Sequence, residues 1–173
     1  MGFFNFLKKE KEVEKIDKSK LPEILMITDK NKFVIELKDY LDKKCAHFAK
    51  FDRLNNEEKT FYLCQIFEME VNNGGFSQLL FNTSGNYIME MLEALKTIKA
   101  YKTVSLLEEL FSYFPNNQIP KERSERVDLC FDLDKKIKLS EKLLNLDDEF
   151  LKHEDNLLEL NYNYVIENKE KFY

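Results

Sequence analysis

The sequence is short of the residues that interrupt helices. In 173 residues there are four glycines and three prolines, the latter at Pro22, Pro115 and Pro120. So few breakers predict long uninterrupted elements. Nothing reads as a sustained alternating strand, and no Asn-Gly or Asp-Gly turn joins two such runs. Cysteine is also scarce. Cys45, Cys64 and Cys130 are widely spaced, odd in number and form no C-x-x-C pair. That pattern predicts reduced thiols buried as small core residues in a cytoplasmic protein. There are only two histidines. His47 lies two residues from Cys45, a spacing that diverges on a helix, and His153 stands between Lys152 and Glu154. Neither makes a metal pair or a nucleophile–base pair, and no metal or cofactor is expected.

Long apolar runs are missing too. No window approaches the ~18 apolar residues of a membrane span. The N-terminus opens with Phe3, Phe4, Phe6 and Leu7 before turning to lysine and glutamate, which reverses the order of a secretory signal. Gly2 does not make a myristoylation site, because Phe6 stands where that motif needs Ser or Thr. On a helix, Phe3, Phe4 and Leu7 would share a side near Lys8, Lys9 and Lys11, a pattern able to touch an anionic membrane surface. The plainer reading of residues 1–20 is a charged arm. Lys plus Arg is 27 against 32 for Asp plus Glu, a net charge of −5. That excludes a basic nucleic-acid binder and a disordered polyanion, and no direct nucleic-acid binding is expected.

What is present is helical periodicity. The length suits one domain, here residues 21–173. Residues 21–27 are a short helix or an extended lead-in. Residues 30–50 carry Phe33, Val34, Leu37, Leu41, Cys45 and Phe48 at three- and four-residue steps. Asn55 precedes Glu58 by three, close to a capping box, and opens a helix expected to end at Asn72-Asn73-Gly74-Gly75. A short helix over 76–81 stops at Asn82-Thr83-Ser84-Gly85. Further helices are expected over 87–98, 104–114, 124–144 and in 146–173. The fold class is all-α, a single domain of six to eight helices.

Three of the four glycines, Gly74, Gly75 and Gly85, fall within twelve residues. Around them stand Glu70, Asn72, Asn73, Phe76, Gln78, Asn82 and Ser84. Short amides and hydroxyls at helix ends satisfy free backbone groups, so one reading is a structural clasp. The other is a recognition or active-site loop. No phosphate-binding loop fits: no Lys follows Gly75 closely and no strand precedes it. Glu68 and Glu70 diverge on a helix, which leaves Glu70 as the single candidate acid or base.

The run from Glu70 through Asn72-Asn73-Gly74-Gly75-Phe76, then Gln78, then Asn82 to Gly85, resembles the bacterial DNA-mimic-protein domain family, once a domain of unknown function. Glu93-Ala94-Leu95 with Ile98, and Leu146-Asp147-Asp148-Glu149-Phe150, add to the likeness, which covers about residues 55–172. Lys99 departs from it, standing where a helix-ending glycine is expected. The resemblance implies an all-helical, non-enzymatic protein without cofactor. It also implies that some members offer acidic side chains, in place of DNA phosphates, to a DNA-binding protein.

The charge layout bears on that implication. Between residues 147 and 159 stand Asp147, Asp148, Glu149, Glu154, Asp155 and Glu159 against Lys152 alone, a local charge equal to that of the whole chain. On one continuous helix Asp147 and Glu154 would point into the apolar arc, at a cost of several kcal/mol. A break near residues 153–155, with Asp147 and Asp155 as N-caps, is therefore expected. These six acids are the candidate partner-binding residues, and the expected partner is a protein with a basic surface, such as a DNA-binding protein engaged in transcription regulation. The alternatives are an immunity or inhibitor protein that blocks a toxin or enzyme by shape, and an enzyme built on Glu70. Exposed aromatics also leave room for a homodimer.

Overall fold

A computed structural model describes Asp17 and residues 19–173. The membrane-surface reading of Phe3, Phe4 and Leu7 lies outside the described residues. Among these residues there are eight α-helices and no strand: α1 Lys20–Ile24, α2 Lys30–Lys44, α3 Asn56–Phe81, α4 Ile88–Thr97, α5 Tyr101–Ser112, α6 Arg123–Ile137, α7 Leu139–Phe150 and α8 Leu157–Glu167. No helix of the described residues is long and apolar enough to cross a membrane.

The axis of the molecule is α3. Phe61, Tyr62, Cys64, Phe67, Val71, Phe76, Leu79 and Leu80 bury nearly its whole circumference, the mark of a helix surrounded by others. It packs against α2, α4, α6, α7 and α8. Its start is the expected capping box. Asn55 Oδ1 accepts the Glu58 N–H at 2.9 Å and Glu58 accepts the Asn55 N–H at 3.0 Å. Glu58 is 1% exposed, and Lys44 Nζ, at 2.6 Å, neutralises it. Asn55 Nδ2 also donates to the Lys171 carbonyl at 2.7 Å, and buried Phe172 meets Phe61 edge-on. The C-terminal turn is thereby fastened to the head of the central helix. All three cysteines are free and buried, as expected.

Several expected boundaries shift. α3 does not stop at Asn72 and Asn73, which remain helical. The backbone departs at Gly74 and Gly75, and the helix resumes to Phe81, so two expected helices are one kinked element. The expected helix over 124–144 is two. Lys138 takes left-handed angles (φ 54°, ψ 55°) and separates α6 from α7 with neither glycine nor proline. The helix expected over 30–50 ends at Lys44, after which Ala46, His47 and Phe48 all have positive φ. α4 ends in a Schellman turn. Ala100 N–H donates to the Leu95 carbonyl and Lys99 N–H to the Lys96 carbonyl, with Lys99 at φ +64°. The departure from the family pattern thus changes the residue and keeps the helix end.

Candidate functional site

The glycine corner is built where α3 bends. Gly75 has φ +69° and ψ −172°, a region that essentially only glycine enters and that costs an L side chain ~1–3 kcal/mol. A Cβ there would also lie 2.2 Å from the Asp147 carboxylate. Asp147 reaches over from α7 and accepts the Phe76 N–H at 2.7 Å. It thus caps the restarted half of α3, a helix other than its own. Burial raises its pKa, opposed by the Phe76 N–H. Phe76 packs edge-on against Phe67 and Phe150, which draws the kink and α7 into one aromatic core.

Across the bend, Glu70 closes a clasp. It is 6% exposed. Oε2 accepts from Gln78 Nε2 at 2.7 Å and Asn82 Nδ2 at 2.9 Å, and Oε1 accepts from Ser84 Oγ at 2.5 Å. All three donors are neutral. Both oxygens are engaged, so the carboxylate is held as an anchor rather than aimed at a substrate. Asn72 and Asn73 do not join this network. Both are exposed on the outer face of α3, and Asn72 lines a separate shallow surface hollow with Ile35 and Met69. Of the motif, then, the fold brings together Glu70, Gln78, Asn82, Ser84 and the glycines.

A residue not singled out by sequence completes the corner. Arg126 of α6 is fully buried. Its five N–H groups meet five oxygens. Nε donates to the Leu80 carbonyl, Nη1 to the Pro120 and Lys121 carbonyls, and Nη2 to the Asn82 carbonyl and Asn86 Oδ1, all within 3.0 Å. Neighbouring Arg123 donates to the Phe81 carbonyl. Two cations therefore sit on the C-terminal carbonyls of α3, where the helix dipole favours positive charge. Burial lowers the Arg126 pKa. Gly85 is required because a Cβ there would come within 2.3 Å of the Leu79 carbonyl and 2.9 Å of the Arg126 guanidinium. The available signal was that Arg126 shares the inward row of α6 with Cys130 and Leu133, four and seven residues on.

The acidic stretch is organised differently. α7 ends at Phe150 and α8 begins at Leu157, so the expected break is present. The expected capping roles are corrected. Asn156, not Asp155, caps α8 by accepting the Glu159 N–H at 3.0 Å. Asp155 accepts from the Thr103 N–H and hydroxyl, at the start of α5. Asp147 and Asp155 thus cap helices 71 and 52 positions away in the chain. Glu149 pairs with Lys152 at 2.6 Å, Glu154 with Lys102 at 3.2 Å and Glu159 with Lys30 at 2.5 Å. These three side chains stay 50, 50 and 40% exposed. Asp148 is exposed and forms no ion pair among the described residues.

Beside the corner opens a cleft of about 490 Å³ between the second half of α3, α6 and the start of α7. Gln78, Phe81, Asn82, Phe131, Asp134 and Leu143 are among its lining residues. No cluster of His, Cys, Asp and Glu able to hold a metal occurs among the described residues.

Neither a curated protein nor a solved structure matches the chain. The family model described as DMP19-like protein matches residues 52–168, about two-thirds of the chain and close to the span carrying the motif resemblance. The chain belongs to this DMP19-like family, the family of DNA-mimic proteins.

Proposed function

We propose that this protein is a non-enzymatic DNA mimic that offers surface carboxylates to the basic face of a DNA-binding protein. The family match carries the reading. The layout around the α7–α8 connection supports it. Asp148, Glu149, Glu154 and Glu159 face solvent, and the three ion pairs among them are exposed ones, each worth about 0–1 kcal/mol. A partner's arginines and lysines can displace such lysines at little cost. Asp147 and Asp155 stand behind this face as helix caps and are not part of the proposed contact.

The test begins with affinity capture at low salt and continues with a titration of the captured DNA-binding protein. Its affinity should fall steeply with salt, as a phosphate-like contact demands. Duplex DNA should compete. The combined variant Asp148→Asn, Glu149→Gln, Glu154→Gln and Glu159→Gln should bind at least tenfold more weakly. Binding that ignores both salt and this variant would overturn the reading.

A further inference from the structure

The cleft beside the glycine corner has a one-sided chemistry. Its floor is apolar, formed by Phe81, Leu139, Leu143 and the buried Cys130. Phe131 forms one wall. It is 55% exposed and meets Phe81 edge-on at 5.6 Å. A large, half-uncovered aromatic at the lip of an apolar hollow is where anchor side chains seat. The volume is within the range of ligand-sized sites.

The polar side is set by the clasp. Glu70 draws in the amide nitrogens of Gln78 and Asn82, so the orientation of both side chains is fixed before anything binds. No donor among the described residues reaches Gln78 Oε1 or Asn82 Oδ1, which leaves both as free acceptors. Asp134 adds a negative charge. Its Oδ1 accepts the Ser140 N–H at 2.8 Å, which holds its pKa below the ordinary carboxylate value. The nearby lysines turn elsewhere, Lys135 to Asp132 and Lys138 to Glu141. The cleft therefore pairs an apolar floor with acceptors and an anion.

We propose that this cleft is the anchor site for a segment of the protein partner in which an aromatic side chain stands beside an arginine. The aromatic ring fills the hollow against Phe131 and Leu143, and the guanidinium donates to Asp134 and the two amide oxygens. Bidentate donors suit such planar acceptors better than a point charge does. The inference rests on the reading of a basic protein partner and adds a contact that DNA phosphates do not make. Glu70 acts here as a positioning residue.

The probe is N-acetyl-phenylalanyl-arginine amide, titrated into the full chain labelled for two-dimensional NMR. Shift changes are expected at residues 77–82, 130–134 and 139–143. Replacing arginine by glutamate in the probe should weaken binding about tenfold, the scale of one charged contact of ~1.4 kcal/mol. Asp134→Asn and Phe131→Ala alter exposed positions, and each should weaken the probe severalfold while leaving the remaining spectrum in place. Glu70→Gln should weaken it as well, and the amide signals of Gln78 and Asn82 should broaden or split. The fourfold-neutralised acidic variant should bind the probe unchanged, so failure of the mimicry reading and failure of this one are told apart. No change at cleft residues at millimolar probe overturns the proposal. So does binding that appears only after residues 1–16 are removed, which would assign the cleft to the chain itself.

Discussion

The glycine corner and the acidic stretch are both rich in polar residues along the chain, and space treats them in opposite ways. At the corner the side chains converge. Glu70 gathers three donors and Arg126 gathers five acceptors, and Asn82 serves both, its side chain donating to one and its carbonyl accepting from the other. Between residues 147 and 159 the acids disperse. Two turn inward to cap distant helices, three pair with lysines of α2, α5 and the α7–α8 connection, and Asp148 faces solvent. Charge counted along a sequence is thus a poor measure of charge offered to a partner, whereas glycines counted along a sequence marked a true focal point.

The sharpest way to break that contrast is at Arg126. Arg126→Met leaves carbonyls at the end of α3 without donors, and should cost about 3–5 kcal/mol in denaturant unfolding, the scale of a broken buried charge network. Glu70→Ala removes the other hub and leaves the buried Ser84 hydroxyl and the half-buried Gln78 amide without their acceptor, at about 2–3 kcal/mol. If both cost under 1 kcal/mol, the corner is not a focal point of the fold. Within the acidic stretch, neighbours should differ. Asp147→Ala should lose ~1 kcal/mol for the missing cap on α3, and Asp148→Ala should stay within about 0.5 kcal/mol of the parent. Equal losses at the two positions would undo the division of the stretch into inward and outward acids.

The same division has a signature in pH. Burial raises the Asp147 pKa, while Lys30 and the Asn163 amide lower that of Glu159. A raised carboxyl favours the folded state while protonated, and that advantage is lost as pH climbs through its folded value. A lowered carboxyl does the reverse, giving stability above its unfolded pKa that is lost on acidification. In a carboxyl-detected NMR titration Asp147 should therefore titrate above the ordinary aspartate range and Glu159 below the ordinary glutamate range. A displacement in the opposite direction at either residue would contradict its placement. A further small effect concerns a residue outside both regions. Lys99→Gly relieves a left-handed lysine inside a Schellman turn and should stabilise by about 0.5–1 kcal/mol, read as a rise in Tm.

What the sequence disclosed and what it withheld follow from range. The helices were legible because their apolar residues repeat within one or two turns, and the Asn55–Glu58 box because both partners lie within four residues. The kink was legible because Gly75 adopts an angle that other residues avoid. Asp147 looks in the sequence like a local cap because its true partner, the Phe76 N–H, lies 71 positions away. Arg126 is hidden in the sequence because a charged residue on an inward row reads as a fault in the pattern until its five oxygen partners are assembled in space. Lys138 offered no local sign of a break.

The fastening of Asn55 and Phe61 to Lys171 and Phe172 joins parts of the fold that lie 116 positions apart in the chain. Asn55 caps α3 with its amide oxygen and holds the Lys171 carbonyl with its amide nitrogen, while Phe172 covers the ring of Phe61. The head of α3 and the turn that carries Lys171 and Phe172 therefore open and close as one cooperative unit.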